Sequence, residues 1–489
     1  MKRECVIRQT SDFKKKIRLA IQKKRYNDAL ELIYSSALLL YSTNPYYEDE
    51  ELEESVRTIA NAVLPKANAS VNRGELERNT ILFYDGFGLD VRGLARIYLE
   101  ALVQDFRVCY VTYADREPEI PGILQTVREH GGEVSFLRRE RPLGMVKQLD
   151  AILRECHAGK FIFYSYPHDV VGPVLMQAYE GVLTRYVVNL TDHAYWLGAR
   201  AIDKCIEFRD YGASISSEYR GIPREKIVKL PFYPKIVPQE FQGFPFPVKE
   251  GQQVVFSGGS LYKTFGEGNK YYEIVDYILA SHSDVIFWYA GGGDDSELKK
   301  CMERYPGRVY HTPERPDLFQ LLQHVSFYLS TYPICGGLMY QYAAAAGVEP
   351  ITLRRDDCND GFLLHQDELH VIFDTMEELK HEIDRVLTDE DYRKTRGEQM
   401  RSAVISPETF AENLRRILVS GESGQDIVYS HIDTEAFRAN YLVDFTEEDM
   451  LWLCVRKGTL PAILRFLPGM AVRGILLKLR LKLSGRSHP

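Results

Sequence analysis

Apolar residues in the first part of the chain recur at intervals of three and four, the period of one face of an α-helix. FKKKIRLAIQKKRYNDALELIYSSALLLY carries this pattern, and EELEESVRTIANAVL resumes it after the break NPYYEDE. The period predicts helix up to about Gly74, read as a hairpin appended to the next domain and bounded at residues 1–78. No repeat at a fixed spacing accompanies it, so an array of helical repeats is not supported. From Thr80 the rhythm changes. TILFYD, RVCYVTY, EVSFL, KFIFYS, TRYVVNL and GASIS are short apolar or β-branched runs separated by helix-length segments. They predict a doubly wound parallel sheet over residues 79–235. PFYPKIVPQEFQGFPFPVKEG then places five prolines between Pro231 and Pro247, which suits a linker. The strand and helix rhythm restarts with QVVFSGG, DVIFWYAGGG, RVYH, VSFYLST and EPITL, alternating with helical segments such as NKYYEIVDYILASH and GLMYQYAAAAG. A second domain of the same kind is predicted over 236–421. The fold class read from the pattern is α/β: two Rossmann-like doubly wound domains facing a cleft, with a helical N-terminal extension and a C-terminal extension over 422–489.

Composition narrows the class. A chain of 489 residues, 45% hydrophobic and 27% charged, is ordinary for a soluble protein of two or three domains. A net charge of −8 gives no general nucleic-acid signal, and no nucleic-acid partner is expected. The eight cysteines show neither CxxC pairs nor zinc spacing, which predicts reduced thiols, no structural zinc and a cytoplasmic location. MKRECVIRQTSDFKKK is basic but no apolar h-region follows it, so neither a cleaved signal nor a membrane span is expected. The stretch from Arg456, RKGTLPAILRFLPGMAVRGILLKLRLKLSGRSHP, departs from the average, with eight Lys or Arg and no Asp or Glu. Leucines interleaved with cations in ILLKLRLKLSG make a basic amphipathic segment, helix or strand, suited to an anionic membrane surface and to a peripheral position at its inner face. The competing reading is a solvated helix resting on the protein's own acidic surface.

Several loops carry residues fit for ligand chemistry. DGFGLDVRGLARIYLEAL places Gly86 and Gly88 between a strand and a helix, where a backbone can turn tightly and approach an acceptor. FSGGSLYKTFGEGNKYYE offers Ser257, Gly258, Gly259 and Lys263, which together could supply backbone N–H donors and a cation to a diphosphate. STYPICGGLMYQYAAAAG sets Gly336 and Gly337 at the start of an Ala-rich helix, a second phosphate cradle. Asp294 and Asp295 read as helix N-terminal residues rather than metal ligands, and Asp356, Asp357 and Asp360 raise the same question. In VVNLTDHAYWLG, His193 follows an apolar strand at the edge where ligands bind in doubly wound sheets. It can take a proton from an acceptor hydroxyl or hydrogen-bond to a sugar. Asp192 is the adjacent candidate to orient it, although neighbours on an extended chain point to opposite faces. Tyr195 and Trp196 read as packing residues rather than sugar-stacking ones.

ISSEYRGIPREKIVKLPFYP and AGGGDDSELKKCMERYPGRVYHTPERPDLFQLLQHVSFYLST are joint matches to one family pattern. Over roughly Thr80 to Gly421 the chain resembles the GT-B superfamily of nucleotide-sugar-dependent glycosyltransferases. The resemblance implies a sugar donor, UDP- or GDP-linked, used as substrate with no cofactor and no metal. It implies an acceptor that is a glycan, a lipid-linked sugar or a protein, within cell-surface polysaccharide or glycoconjugate synthesis. The implied donor-binding residues are Ser257, Gly258, Gly259, Lys263, Glu314, Gly336, Gly337 and Gln341. The implied acceptor loop holds Gly86 and Gly88, and the catalytic candidates are His193 and Asp192. Pro333 and Gln341 stand where the common retaining family has two glutamates eight apart, a departure that speaks against that assignment. STYPICGGLMYQ is also similar to the loop of inverting protein-O-linked N-acetylglucosamine transferases. Two other classes share the fold: an epimerase, which needs acid and base carboxylates such as Glu267, Glu314 or Asp360, and a non-catalytic partner subunit.

Overall fold

The computed structural model describes residues 2–64, 76–90, 93–355, 361–364, 366–443 and 445–483. Three helices open it: α1 (Arg3–Gln22), α2 (Tyr26–Thr43) and α3 (Glu50–Val63). The first strand follows, and the chain then alternates strand and helix through two parallel sheets. The first sheet holds β1 (Glu77–Asp85), β2 (Arg107–Tyr113), β3 (Glu133–Leu137), β4 (Ala158–Tyr164), β5 (Thr184–Val188), β6 (Lys204–Glu207) and β7 (Ile227–Lys229), in the order β3-β2-β1-β4-β5-β6-β7. The second holds β8 (Gln253–Gly258), β9 (Val285–Ala290), β10 (Val309–Thr312), β11 (Phe327–Leu329), β12 (Pro350–Leu353) and β13 (Ile372–Phe373), in the order β10-β9-β8-β11-β12-β13. Each sheet reverses strand order once, between β1 and β4 and between β8 and β11. In doubly wound sheets the crevice at that reversal, outside the C-terminal strand ends, is where ligands bind.

The proline-rich stretch after Leu230 carries no helix or strand up to β8, as its composition predicts. One strand expectation fails. GASIS lies inside the helix Asp210–Glu218, and the sixth strand is KCIE at β6. Periodicity does not separate a short buried strand from a short buried helix. Here Asp210 opens the helix with a favourable dipole charge, and Ser216 Oγ donates to the buried Glu207 carboxylate at the end of β6. The short strands β7 and β13 carry too few residues to show a period.

The compact units also divide differently from the sequence boundaries. The first unit comprises Met1–Leu230 with Ala411–Pro489, and the second comprises Pro231–Phe410. The N-terminal helices are therefore not an appendage. α2 buries Ala29, Leu30, Leu32, Ile33, Ala37 and Leu39 around its circumference, as a helix enclosed on all sides does. It packs on α1, on the helix Pro142–Glu155 that follows β3, and on the C-terminal helices Glu447–Cys454 and Leu460–Phe466, while α3 packs on the helix Val171–Ala178. These residues share one core with Leu82, Val111 and Phe163 of the first sheet. Two carboxylates on α2 mark the seam: Arg141 donates to both Asp28 and Glu31 at 2.6 Å, and Arg465 pairs with Asp28. Replacing the fully buried Ile33 with alanine is expected to cost the first unit about 2–5 kcal/mol in denaturant unfolding. A loss below about 1 kcal/mol would mean that the helices are an independent extension.

Candidate functional site

In the second unit, β8 ends in Ser257 and Gly258, and Gly259 follows it. Ser257 is buried, and its hydroxyl accepts from Tyr271 at 2.6 Å. Gly259 has φ +122°, and a Cβ at the neighbouring Gly291 would lie 1.8 Å from the Gly259 carbonyl oxygen. The loops after β8 and β9 thus meet backbone to backbone, an approach only glycine permits. The chain then makes a short helical turn, Leu261–Thr264, that carries Lys263. From β11 the chain runs through Ser330 to Cys335 and enters the helix Gly337–Ala346, with Gly336 as its N-cap. The Lys263 carbonyl accepts from Ile334 N at 3.3 Å, and a Cβ at Gly336 would lie only 3.8 Å from Lys263 Nζ. A Cβ at Gly337 would fall 2.3 Å from the Phe362 ring. The structure thus brings Ser257, Gly258, Gly259, Lys263, Gly336 and Gly337 together at the β8/β11 reversal. A cation stands beside a helix N-terminus whose first N–H groups have no intrahelical acceptors, a combination that favours an anion.

Of the other donor candidates, Gln341 lies one turn into the same helix and Glu314 lies apart. The Gln341 side-chain amide donates to the carbonyls of Phe232 at 2.9 Å and Phe362 at 3.0 Å, so its nitrogen is engaged in holding backbone. Glu314 is exposed and follows the edge strand β10, two strands from β8. Glu267 is exposed as well. Asp294 Oδ1 accepts from Ser296 N at 3.0 Å where the helix opens, and Asp295, at the N-cap position but making no cap hydrogen bond, pairs with Lys299 at 2.9 Å. Asp356, Asp357 and Asp360 lie outside the described residues. Among the described residues no group of three His, Cys, Asp or Glu could hold a metal ion.

In the first unit, Gly86 and Gly88 follow β1 at the β1/β4 reversal. Asp85 organises this loop: its Oδ1 accepts from the N–H of Phe87 and of Gly88, each at 2.9 Å, and its Oδ2 accepts from Tyr110 at 2.8 Å. Burial pushes the Asp85 carboxyl up to about 6 against these donors. A Cβ at Gly86 would lie 1.8 Å from Ser165 Oγ, and Gly88 has φ +57°. Gly86 thus serves a close approach of the β1 and β4 loops, while a Cβ at Gly88 would lie 2.6 Å from Thr112 Oγ1 and from Arg116 Cβ, at the end of β2.

His193 lies in the irregular stretch between β5 and β6, with its side chain 38% exposed. Its Nδ1 is 3.3 Å from Asp192 Oδ1, while Asp192 Oδ2 accepts from Arg209 Nε at 2.6 Å. The chain turns here rather than extending, so the two neighbours do meet. The shorter contact makes Asp192 chiefly the partner of Arg209. Burial would raise the Asp192 carboxyl, but the Arg209 guanidinium and then His193 outweigh it and hold the group well below the ordinary range. The turn itself is clamped. Arg220 Nη2 donates to the carbonyls of Thr191, Asp192 and Ala194 at 3.0, 2.9 and 2.6 Å. Asn44, the left-handed cap of α2, donates to the His193 carbonyl at 3.0 Å and accepts from Tyr195 N at 3.1 Å. Tyr195 and Trp196 are buried, as packing residues are. Arg209, Arg220 and Asn44 escaped the sequence reading because no local pattern tells a buried loop-clamping side chain from a solvated one.

The basic C-terminal segment forms the helix Pro468–Leu483, with no strand. It is apolar on two faces. Ala471, Gly474 and Leu477 are buried against the first unit, while Val472, Leu476, Leu479 and Leu483 are 53 to 88% exposed in one stripe at spacings of four, three and four. Arg473 pairs with Glu447 and Arg480 with Glu448, so part of the charge rests on the protein's own acidic surface. No helix among the described residues is long and apolar enough to cross a membrane.

No protein-family model matches the chain. No curated protein matches it in sequence. Solved structures do. A mutant of the Thermobaculum terrenum O-GlcNAc transferase is 16% identical with a TM-score of 0.52, covering 84% of this chain and 77% of that one. Anabaena HepE, solved in complex with UDP and glucose, is 14% identical with a TM-score of 0.50, covering 70% of this chain and 99% of that one. With the two parallel sheets, these likenesses establish the GT-B fold.

The depressed Asp192 carboxyl predicts a pH signature. Its stabilising charge is present above the unfolded value of about 3.9 and is lost as pH falls toward the folded value. Asp192→Asn should lower the thermal midpoint near neutral pH, with the gap from wild type closing below about pH 4. A gap that does not change with pH would contradict the ion pair with Arg209.

Proposed function

We propose that the chain is a glycosyltransferase that draws a hexose from a nucleotide-sugar donor. The observation that carries this reading is the approach of Lys263 Nζ to Gly336, at a helix N-terminus on the β8/β11 reversal. In the reaction an acceptor hydroxyl attacks the anomeric carbon, the bond from that carbon to the diphosphate oxygen breaks, and the nucleoside diphosphate leaves with the electron pair. Lys263 and the N–H groups opening the helix Gly337–Ala346 stabilise the departing charge, the part a metal ion plays in other transferases. An inverting reaction also needs a base for the hydroxyl proton, and His193, on the turn that Arg209 and Asp192 position, is the first unit's candidate for that part. UDP is the proposed leaving group, since HepE was solved with UDP and has the same fold. The glycan, lipid-linked or protein acceptor belongs to surface glycoconjugate synthesis in this reading.

The exposed leucine stripe and its cations Arg473, Arg480 and Lys482 support docking of the helix Pro468–Leu483 on an anionic lipid surface. The ion pairs to Glu447 and Glu448 are exposed, and such pairs contribute only about 0–1 kcal/mol, so lipid phosphates can displace them. A membrane-held transferase would meet a lipid-linked acceptor at its own surface.

Two outcomes are expected. Nucleotide release from UDP-glucose, UDP-N-acetylglucosamine or GDP-mannose should persist in EDTA and fall roughly 10²- to 10³-fold in Lys263→Ala; no release from any of the three would overturn the transferase reading. In flotation with phosphatidylserine vesicles, wild type should rise with the lipid and the double variant Leu476→Glu, Leu479→Glu should stay behind. Equal flotation of both proteins would remove the docking role.

A further inference from the structure

The helix Gly337–Ala346, whose N-terminus forms the phosphate cradle, ends at Gly347 with φ +78°, and Glu349 follows two residues later. Glu349 is buried. Arg396, on the helix Glu390–Ser402, donates from Nε to Glu349 Oε1 at 3.1 Å and pairs with the same oxygen through Nη2. Arg396 Nε also lies 3.8 Å from Glu382 on the helix Met376–Thr388, and Tyr392 donates to that carboxylate at 2.7 Å. Glu382 and Arg396 are buried as well, and Arg385 stands over the Tyr392 ring. One guanidinium thus serves two enclosed carboxylates, so the cluster carries a surplus negative charge whenever both are ionised. Glu349 Oε2 is buried with no hydrogen-bond partner among the described residues, a setting that favours a proton over a charge. Burial pushes the Glu349 carboxyl up to about 7, against the Arg396 guanidinium and helped by Glu382.

Two contacts join this cluster to the cradle. Arg396 Nη2 also donates to the Leu369 carbonyl at 2.7 Å, at the end of the short helix Gln366–Leu369. Gln366 Oε1, at the start of that helix, accepts from Phe362 N at 2.8 Å and Leu363 N at 3.1 Å, and the Phe362 ring is the group that a Cβ at Gly337 would meet. The second contact is backbone to backbone. A Cβ at Gly397, the residue after Arg396, would fall 2.5 Å from the Gly347 carbonyl oxygen, so the helix of Arg396 abuts the far end of the cradle helix. We propose that Glu349 is a proton-linked positioning residue for the phosphate cradle. Protonated, it leaves Arg396 to hold the Leu369 carbonyl and, through Gln366, the Phe362 ring against Gly337. Ionised, it sets two carboxylates against one guanidinium and loosens that hold. The proposal rests on the transferase reading for its effect on a nucleotide, and on the second unit alone for its geometry. A carboxyl raised in the folded state contributes stability that is full below the unfolded value of about 4.3 and is lost as pH rises through the folded value, so the loosened form gains as pH passes about 7.

The test is hydrogen–deuterium exchange of the full chain at about pH 6 and about pH 8, corrected for intrinsic exchange rates, with UDP-glucose binding followed by calorimetry on the same samples. UDP-glucose serves as the probe because its diphosphate has no proton to lose over this range. In wild type, protection of the segment Gln366–Phe373 should fall roughly tenfold at the higher pH, and UDP-glucose affinity should fall with it. Glu349→Gln, which keeps the uncharged form, should hold both constant. Glu382→Gln, the second variant should Glu349→Gln fail to fold, removes the competing charge and should move the step to lower pH. Equal protection at both pH values in wild type, a step that persists in Glu349→Gln, or a step in protection with constant affinity would each overturn the proposal. A step in protection without UDP-glucose binding at either pH would sink the transferase reading and spare the proton-linked cluster. Binding at both pH values with no step in protection would leave the transferase reading standing and overturn the role of Glu349.

Discussion

A parallel sheet has two apolar faces and both must be covered, a constraint that decides where this chain is closed and where it is open. Crossover helices run along the faces, so the strand order can reverse only by sending successive helices to opposite sides, and the C-terminal strand ends at the reversal are left without a helix over them. The chain meets this twice, at β1/β4 and at β8/β11. Glycine-rich loops stand at both places, after β1 and after β8, and a third follows β9, where Gly291 meets the Gly259 backbone. The first unit adds a further layer: α1 to α3 and the returning C-terminal helices pack outside the crossover helices and extend the same core.

Open edges create a second requirement. The stretch from β5 to β6 is irregular, so its backbone polar groups have no ladder to join and need side-chain partners. Arg220 Nη2 serves three carbonyls, Asn44 supplies one donor and one acceptor, and Glu53 accepts from Gly198 N at 2.7 Å. Burial pushes the Glu53 carboxyl up to about 7 against the Gly198 N–H that it accepts. Asn44 and Glu53 come from the N-terminal helical region, so the segment that completes the core also fixes the turn bearing His193. Packing and the position of His193 are coupled through these hydrogen bonds.

Much of the fold was legible in the sequence because the strands are buried on both faces and read as continuous apolar runs, and because five prolines punctuate the join. GASIS misled because five residues cannot show a helical period. The N-terminal helices read as an appendage because amphipathic spacing reports that a face is buried and not what it is buried against. Of the site, the loops that carry Gly258, Gly259, Lys263, Gly336 and Gly337 were legible from glycine placement next to strands. Gln341 and Glu314 came from family position alone, and the geometry gives one a backbone-holding role and the other an exposed loop.

The central claim is that the β8/β11 reversal holds a nucleoside diphosphate between Lys263 and the N-terminus of the helix Gly337–Ala346. The most direct measurement is a crystal structure of the full chain grown with UDP. The account predicts phosphate density within hydrogen-bond reach of Lys263 Nζ and of the N–H groups that follow Gly336. Diphosphate bound elsewhere on the molecule, or a site that stays empty at saturating UDP, would contradict it.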